Sequence, residues 1–257
     1  MTGQLTGKTA LVTGSTSNIG RAIALAYAAA GAHVIVSGRN EMRGAAVLEE
    51  IRADGGRADF VPADLDGTAA ASRALADAAT ARLGGRLDIL VNNAGIYPPS
   101  TTETVDEEVF DRVYAVNVKA PFFLTQAVIP RMRAGGGIIN LGSWVARLGL
   151  PVGGLYASTK GAMETLTRAW SAEFAGSGVR VNAISPGVTL DPEVDSGHTA
   201  AVEAMMHGTP ADRVGHPDEI AAAAVFLASD AAAFVHGIVL DVDGGRTGVA
   251  VSRAAAV

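Results

Sequence analysis

The stretch "TALVTGSTSNIGRAIALAYAAAG", residues 9–31, decides the fold. Its opening "TALVT" (9–13) is a short, unbroken run without polar alternation, the mark of a strand buried on both faces. Its closing "IGRAIALAYAAAG" sets Ile19, Ile23 and Tyr27 on one face of a helix, with Gly31 placed to stop it. Between them "TGSTSNIG" (13–20) turns from strand to helix. Backbone N–H groups at such a helix start face outward, and the helix dipole favours an anion there. That is the context of a dinucleotide-binding loop, except that Asn18 stands where such a loop normally carries glycine. Asparagine is the non-glycine residue most at ease at positive φ, so Asn18 can meet the loop's conformational demand. Its side chain narrows the space into which a phosphate approaches the backbone.

The alternation continues along the chain. "HVIVS" (33–37), "ADFVP" (58–62), "LDILVN" (87–92), "GIINLG" (137–142), "VRVNAIS" (179–185) and "GIVLDV" (237–242) read as further strands, separated by Ala-rich helical stretches. The expectation is an α/β fold: one Rossmann-like, doubly wound parallel sheet of about seven strands with helices on both faces and ligands at the carboxyl ends of the strands. At 257 residues, 49 % hydrophobic and with mean hydropathy +0.27, the chain (1–257) reads as a single domain around one large core. Residues 186–215, which follow the strand ending near Ser185 and open with the turn-rich "SPGVTLDPEVDSGHT", read as a lid over the site.

Composition excludes several classes. A net charge of −6 with no Lys/Arg cluster gives nothing to neutralise a phosphate backbone, so nucleic acid is not an expected partner. The absence of cysteine rules out disulfides and thiolate metal sites, and the five histidines lack metal-ligand spacing, so no metal is expected. "MTGQLTGKTALVTG" lacks a basic segment followed by a long apolar one, and no apolar run approaches the roughly 20 residues a bilayer span needs. A cytoplasmic protein without membrane contact is expected.

"YASTK" (156–160) opens a helix running to about Phe174, with Met163, Leu166, Trp170 and Phe174 as its buried stripe. Tyr156 and Lys160, at i and i+4, share one face, where the lysine can stabilise the phenolate of a tyrosine whose ordinary pKa, about 10, makes it a poor proton carrier. In order and spacing, "TGSTSNIG", "NNAG" (92–95), Asn117 in "YAVNVKAPFF", Ser143 in "INLGS", "YASTK", "SPG" (185–187) and "DVDGG" (241–245) resemble the short-chain dehydrogenase/reductase family from about residue 6 to 245.

The resemblance implies an oxidoreductase with the tetrad Asn117, Ser143, Tyr156 and Lys160. Tyr156 is then the general acid toward a carbonyl oxygen, or the base in reverse. Ser143 hydrogen-bonds the same oxygen and Lys160 also holds the nicotinamide ribose, while Asn117 anchors a water linking that lysine to solvent. It further implies cofactor contacts from Gly14, Thr16, Ser17, Asn18 and Ile19 in the loop, Asp64 and Leu65 beside adenine, Asn92, Ala94 and Gly95 along the ribose and beneath the cofactor, and Pro186, Gly187, Val188 and Thr189 around the nicotinamide. NAD-binding members carry a carboxylate at the end of the second strand. Here "VSGRN" has Gly38 at that position and Arg39 after it, which suits a 2′-phosphate, so NADP(H) is expected over NAD(H).

The substrate is expected to be a ketone or secondary alcohol of moderate size, lined by Trp144, Val145, Leu148, Val152 and Leu155, with Arg147 the nearby cation available to an anionic group. The end of the chain resembles homotetrameric (or homodimeric) reductases, including 3-oxoacyl reductases, although the acidic pI of 5.3 gives no evident docking patch for an acyl carrier. Alternatives are an NAD(H)-dependent alcohol dehydrogenase of the same family, a cofactor-free halohydrin dehalogenase-like enzyme, or a non-catalytic cofactor-binding sensor. Lys160 in place of arginine, "NNAG" and Arg39 argue against the dehalogenase, and the complete tetrad against the sensor.

Overall fold

In the computed structural model, which describes residues 3–151, 153–190 and 199–250, seven parallel strands form one sheet in the order β3-β2-β1-β4-β5-β6-β7. These are β1 Thr9–Thr13, β2 His33–Gly38, β3 Arg57–Pro62, β4 Leu87–Asn92, β5 Met132–Leu141, β6 Arg180–Pro186 and β7 Val239–Val242. The helices are α1 Asn18–Ala29, α2 Glu41–Ala53, α3 Ala69–Arg82, α4 Glu107–Tyr114, α5 Ala120–Val128, α6 Gly154–Glu173, α7 Thr199–Ala204 and α8 Pro217–Ala228. The expected doubly wound α/β class is thus the one observed.

Both faces of the sheet are covered, and each strand but β7 supplies both. From β1, Ala10 and Val12 enter one core with Ile23 and Tyr27 of α1, Val47 and Ile51 of α2, and Ile220 and Ala224 of α8. Leu11, between them in sequence, enters the other core with Leu75 of α3, Leu124 and Val128 of α5, and Met163 and Trp170 of α6. The two-residue period of a strand turns one apolar run into two cores, which explains why these runs lack polar alternation. In α1 the predicted stripe holds at Ile23 and Tyr27, which are fully buried, while Ile19 is partly buried against the same core, and Gly31 follows the helix at φ +98. In α6 the stripe is narrower than predicted: Met163 and Trp170 are buried, Leu166 and Phe174 are partly exposed, and Thr159, Lys160, Glu164 and Thr167 share the inner face.

Two local features depart from the sequence reading. β5 begins at Met132 rather than at Gly137, because Met132 pairs with Leu87 before a register shift between Leu87 and Ile89 carries the glycine-rich "AGGG" past β4. Between α4 and α5 the chain forms a π turn, Ala115–Lys119, which holds Asn117 at 2 % exposure. Such turns are rare and recur at functional sites.

The parallel arrangement brings every strand's carboxyl end, and the loop after it, to one edge of the sheet. Order reverses between β1 and β4, opening a crevice where their loops part.

Across the first core the Tyr27 hydroxyl donates to the Ala224 carbonyl at 3.1 Å and ties α1 to α8, while burial pushes its pKa above the ordinary range. Tyr27→Phe is expected to lower the unfolding free energy by about 1 kcal/mol, read as a reduced urea midpoint at unchanged slope.

Candidate active site

A groove of about 900 Å³ runs along the carboxyl edge of the sheet. Its floor is the turn after β1. Gly14 adopts φ +63 and Asn18 φ +47, so the asparagine does take the left-handed conformation that the loop requires of it. A Cβ on Gly20 would lie 2.3 Å from the Gly14 carbonyl oxygen, so only glycine lets α1 start this close to β1. Asn40, Thr68, Asp106 and His216 cap their helices with side chains, whereas Ser17 makes no such bond at the start of α1. The first N–H groups of α1 therefore keep their donors for an anion in the groove.

At the end of β2, Gly38 faces the Thr16 side chain, whose Cγ2 would lie 2.8 Å from any Cβ there. Arg39 and Arg43, one helical turn apart, both line this end, with Asp64, Leu65 and Asp66 after β3. The sequence reading missed Arg43, although its i+4 spacing from Arg39 was visible. Of the expected cofactor residues, Gly14, Thr16, Ser17, Asn18, Ile19, Arg39, Asp64, Leu65, Ala94, Gly95, Tyr156, Lys160, Pro186, Gly187 and Thr189 line the groove.

Asn92 does not; it is buried beneath the sheet, where its Nδ2 donates to Thr125 Oγ1 at 3.2 Å and Asn140 Oδ1 at 2.9 Å. Its neighbour Asn93 lines the groove instead, as the alternation of a strand dictates. Val188 is also outside the lining, its carbonyl accepting the Gly215 N–H at 2.8 Å. Of the expected lid, residues 191–198 lie outside the described residues.

At the other end of the groove Ser143, Tyr156 and Lys160 meet. Ser143 stands at the end of β5 before the turn Trp144–Ala146, and Tyr156 and Lys160 lie one turn apart in the first half of α6. Burial pushes the Tyr156 hydroxyl up to about 12, opposed by a hydrogen bond from Ser143, and the Tyr97 hydroxyl adds to the rise. Tyr156 is therefore a protonated phenol at neutral pH. Burial lowers Lys160 to about 8. Its Nζ donates to the Leu141 carbonyl at 2.8 Å and lies 5.5 Å from the Tyr156 ring centroid.

Asn117 closes the set from behind: its Oδ1 accepts from Ile96 N at 2.8 Å, and its Nδ2 donates to Ile96 O at 3.0 Å and Thr159 Oγ1 at 3.2 Å. It thus fastens the loop after β4 to the residue before Lys160. A Cβ on Gly95 would lie 3.4 Å from Asn117 Oδ1 and 3.7 Å from Lys160 Nζ, so this glycine keeps open the space the two side chains share.

Beside Tyr156 a second cleft of about 230 Å³ is lined by Val145, Leu148, Leu150 and Tyr97, among others. Tyr97, which the sequence reading missed, packs at 4.7 Å and 54° on the Tyr156 ring and forms a wall of both cavities. Of the expected substrate residues only Val145 and Leu148 line this cleft. Trp144 is 5 % exposed and covered by the Arg246 guanidinium, 4.4 Å from its ring centroid. Leu155 is not in the lining, and Val152 lies outside the described residues. Arg147 does line the cleft, but its guanidinium is engaged, with both terminal nitrogens on Asp241 and Nε 3.6 Å from the buried Glu164.

Among the described residues no group of three or more His, Asp or Glu side chains could hold a metal, and no helix is long and apolar enough to cross a membrane.

Known proteins give this geometry a family. A family model described as enoyl-(acyl carrier protein) reductase matches residues 14–247. D-threitol dehydrogenase of Mycolicibacterium smegmatis is 41% identical over 95% of this chain and 94% of its own. Cyclopentanol dehydrogenase of a Comamonas species is 36% identical over 95% and 99%. The crystal structure of the angucycline C-6 ketoreductase LanV with bound NADP superposes with a TM-score of 0.90 at 38% identity, covering 96% of this chain and 98% of that one. The chain belongs to the short-chain dehydrogenase/reductase family and is an oxidoreductase of that family.

Because Lys160 loses its charge near pH 8, carbonyl reduction at limiting ketone and saturating dinucleotide should be level below that pH and fall as pH rises through it. In Lys160→Met the rate should be low and this limb absent, as initial rates between pH 6 and 10 will test.

Proposed function

We propose that the protein transfers hydride between NADP(H) and a neutral ketone or secondary alcohol of moderate size. The observation that carries this is the juxtaposition of a protonated Tyr156 with Ser143 and the buried Lys160 at the end of a groove that continues to Arg39. The dinucleotide supplies or accepts the hydride. Gly14, Thr16, Ser17, Asn18 and Ile19 hold its pyrophosphate, Asp64 and Leu65 flank adenine, Ala94 and Gly95 support the adenosine side, and Pro186, Gly187 and Thr189 flank the nicotinamide.

Tyr156 protonates the carbonyl oxygen in reduction and accepts the alcohol proton in reverse. Ser143 donates to the same oxygen and stabilises its developing charge. The Lys160 ammonium lies 5.5 Å from the tyrosine ring centroid, and a positive charge at that place favours the phenolate and so eases proton release. Asn117 holds the water through which that lysine reaches solvent. The names of relatives, a cyclopentanol dehydrogenase and a C-6 ketoreductase, agree with a carbonyl or secondary alcohol as substrate.

The preference for NADP(H) rests on the end of β2. Thr16 fills the space that a side chain at Gly38 would occupy, which leaves no room for a ribose-binding carboxylate, and two guanidinium groups stand beside it. Residues 186–215 serve as the substrate lid of what we read as one dinucleotide-binding domain.

Tyr156→Phe should reduce kcat for ketone reduction by about a hundredfold or more while NADPH affinity, measured by calorimetric titration, stays within a few-fold of wild type. Full activity in this variant would refute the proton-transfer role. Arg39→Ala should weaken NADPH by about tenfold and leave NADH within about twofold, so that the ratio of the two dissociation constants reads the 2′-phosphate contact directly.

A further inference from the structure

At the opposite, amino edge of the sheet, basic residues stand at the heads of four adjacent strands. Arg57 begins β3 and pairs in register with His33, which begins β2; His33 pairs with Thr9, which Lys8 precedes at β1; and Arg86 precedes β4. Strands about 4.8 Å apart set these four groups in a row about 15 Å long. Arg82, in the last turn of α3, joins them around a cavity of about 570 Å³ whose lining includes Gly7, Gly31, Gly55, Gly56 and Gly84 and no carboxylate. At Gly7, Gly55 and Gly84 an added Cβ would meet nothing within 4 Å, so the cavity is open there to an incoming group.

Three of the acids near the row are already engaged, and Asp54, which precedes Gly55, is not in the cavity lining. Asp59 bonds His33 at 2.7 Å, Asp230 pairs with Lys8 at 3.4 Å, and the buried Asp88 accepts from Thr9 N and Oγ1 at 2.8 Å each. The guanidinium groups are not. Arg82 and Arg86 each donate to a single backbone carbonyl, of Ala78 and Gly7, and Arg57 has no side-chain hydrogen bond or ion pair among the described residues. Three planar forks, each with five N–H donors, thus face one cavity with most of those donors free.

We propose that this cavity is a second, non-catalytic anion site that takes a compact ligand bearing two or more phosphate groups. The length of the row matches a small polyphosphorylated molecule, and the net charge of −6 over the whole chain works against a long polyanion. β1, about 16 Å long, separates it from the dinucleotide groove, so the two sites are independent.

The test is calorimetric titration of inorganic tripolyphosphate into the full-length protein saturated with NADP+. Binding should be seen, weaken with added salt, and fall by about tenfold or more in Arg57→Ser/Arg86→Ser, a variant that leaves the reductase machinery untouched and whose fold is checked by circular dichroism. Arg39→Ala should leave it unchanged. Absence of binding, displacement of tripolyphosphate by NADP+, or undiminished binding in the double variant would overturn the proposal. A protein that fails to bind NADP+ yet loses tripolyphosphate in the double variant would refute the dinucleotide reading and keep this one.

Discussion

The site depends on how the ends of β1 and β4 are pinned where the strand order reverses. Thr13 Oγ1 accepts the Asn93 and Ala94 N–H groups at 3.0 Å each and donates to the Val91 carbonyl at 3.1 Å. Asn93 Nδ2 returns to the carbonyls of Thr13 and Gly14 at 2.8 and 3.1 Å. These bonds satisfy backbone groups that the crevice would otherwise leave unpaired, and they fix the distance between the turn that opens α1 and the loop that leads to Tyr97. Gly20 fits against both partners, since a Cβ there would also come within 2.4 Å of Asn93 Nδ2. The turn after β1 and the loop after β4, which form opposite ends of the groove, are thereby held by one hydrogen-bonded junction.

From that junction Asn117 carries the constraint to the catalytic helix. It bonds both backbone groups of Ile96 and the Thr159 hydroxyl, so it ties the loop after β4 to the α6 turn bearing Lys160. Lys160 is further tied to the end of β5 through Leu141, two residues before Ser143. Two strand ends and one helix thus converge on a lysine whose burial costs it part of its affinity for a proton. An amine held at the edge of ionisation beside a phenol driven the other way by the same burial is the pairing that proton transfer needs.

How much of this was legible in the sequence follows from the range of the interactions. The strands were legible because burial on both faces leaves an unbroken apolar run, and Tyr156 with Lys160 because helical spacing is local. Asn18 was legible as a question, and its φ of +47 answers the conformational half of it. Asn92 and Asn93 lie on opposite sides of β4 and its continuation, because a two-residue period separates the side that faces Asn140 from the side that faces the groove. Trp144 could not have been placed, because what covers it is Arg246 from beyond β7. The π turn at Asn117 arises from the join of α4 and α5 and carries no compositional mark, while Tyr97 becomes part of the site only when α6 brings Tyr156 beneath it.

Cations stand at both ends of the crevice, in different settings. The end beside β2 presents Arg39 and Arg43 together with the uncapped start of α1, across from Asp64 and Asp66. The cleft beyond Tyr156 also holds a cation, but Arg147 is bonded to Asp241 and faces Glu164, and those partners raise its hold on the proton. A guanidinium committed in this way positions its own loop and has little to offer a ligand carboxylate, which would have to displace Asp241 to reach it. Glu164 in turn backs Gly142, its Oε1 lying 3.3 Å from where a Cβ on that glycine would stand, so the buried carboxyl also stands behind the turn that delivers Ser143. With the one cation among the described lining residues of the cleft paired in this way, the rest of its wall is formed by Val145, Leu148, Leu150, the Tyr97 and Tyr156 rings and small residues.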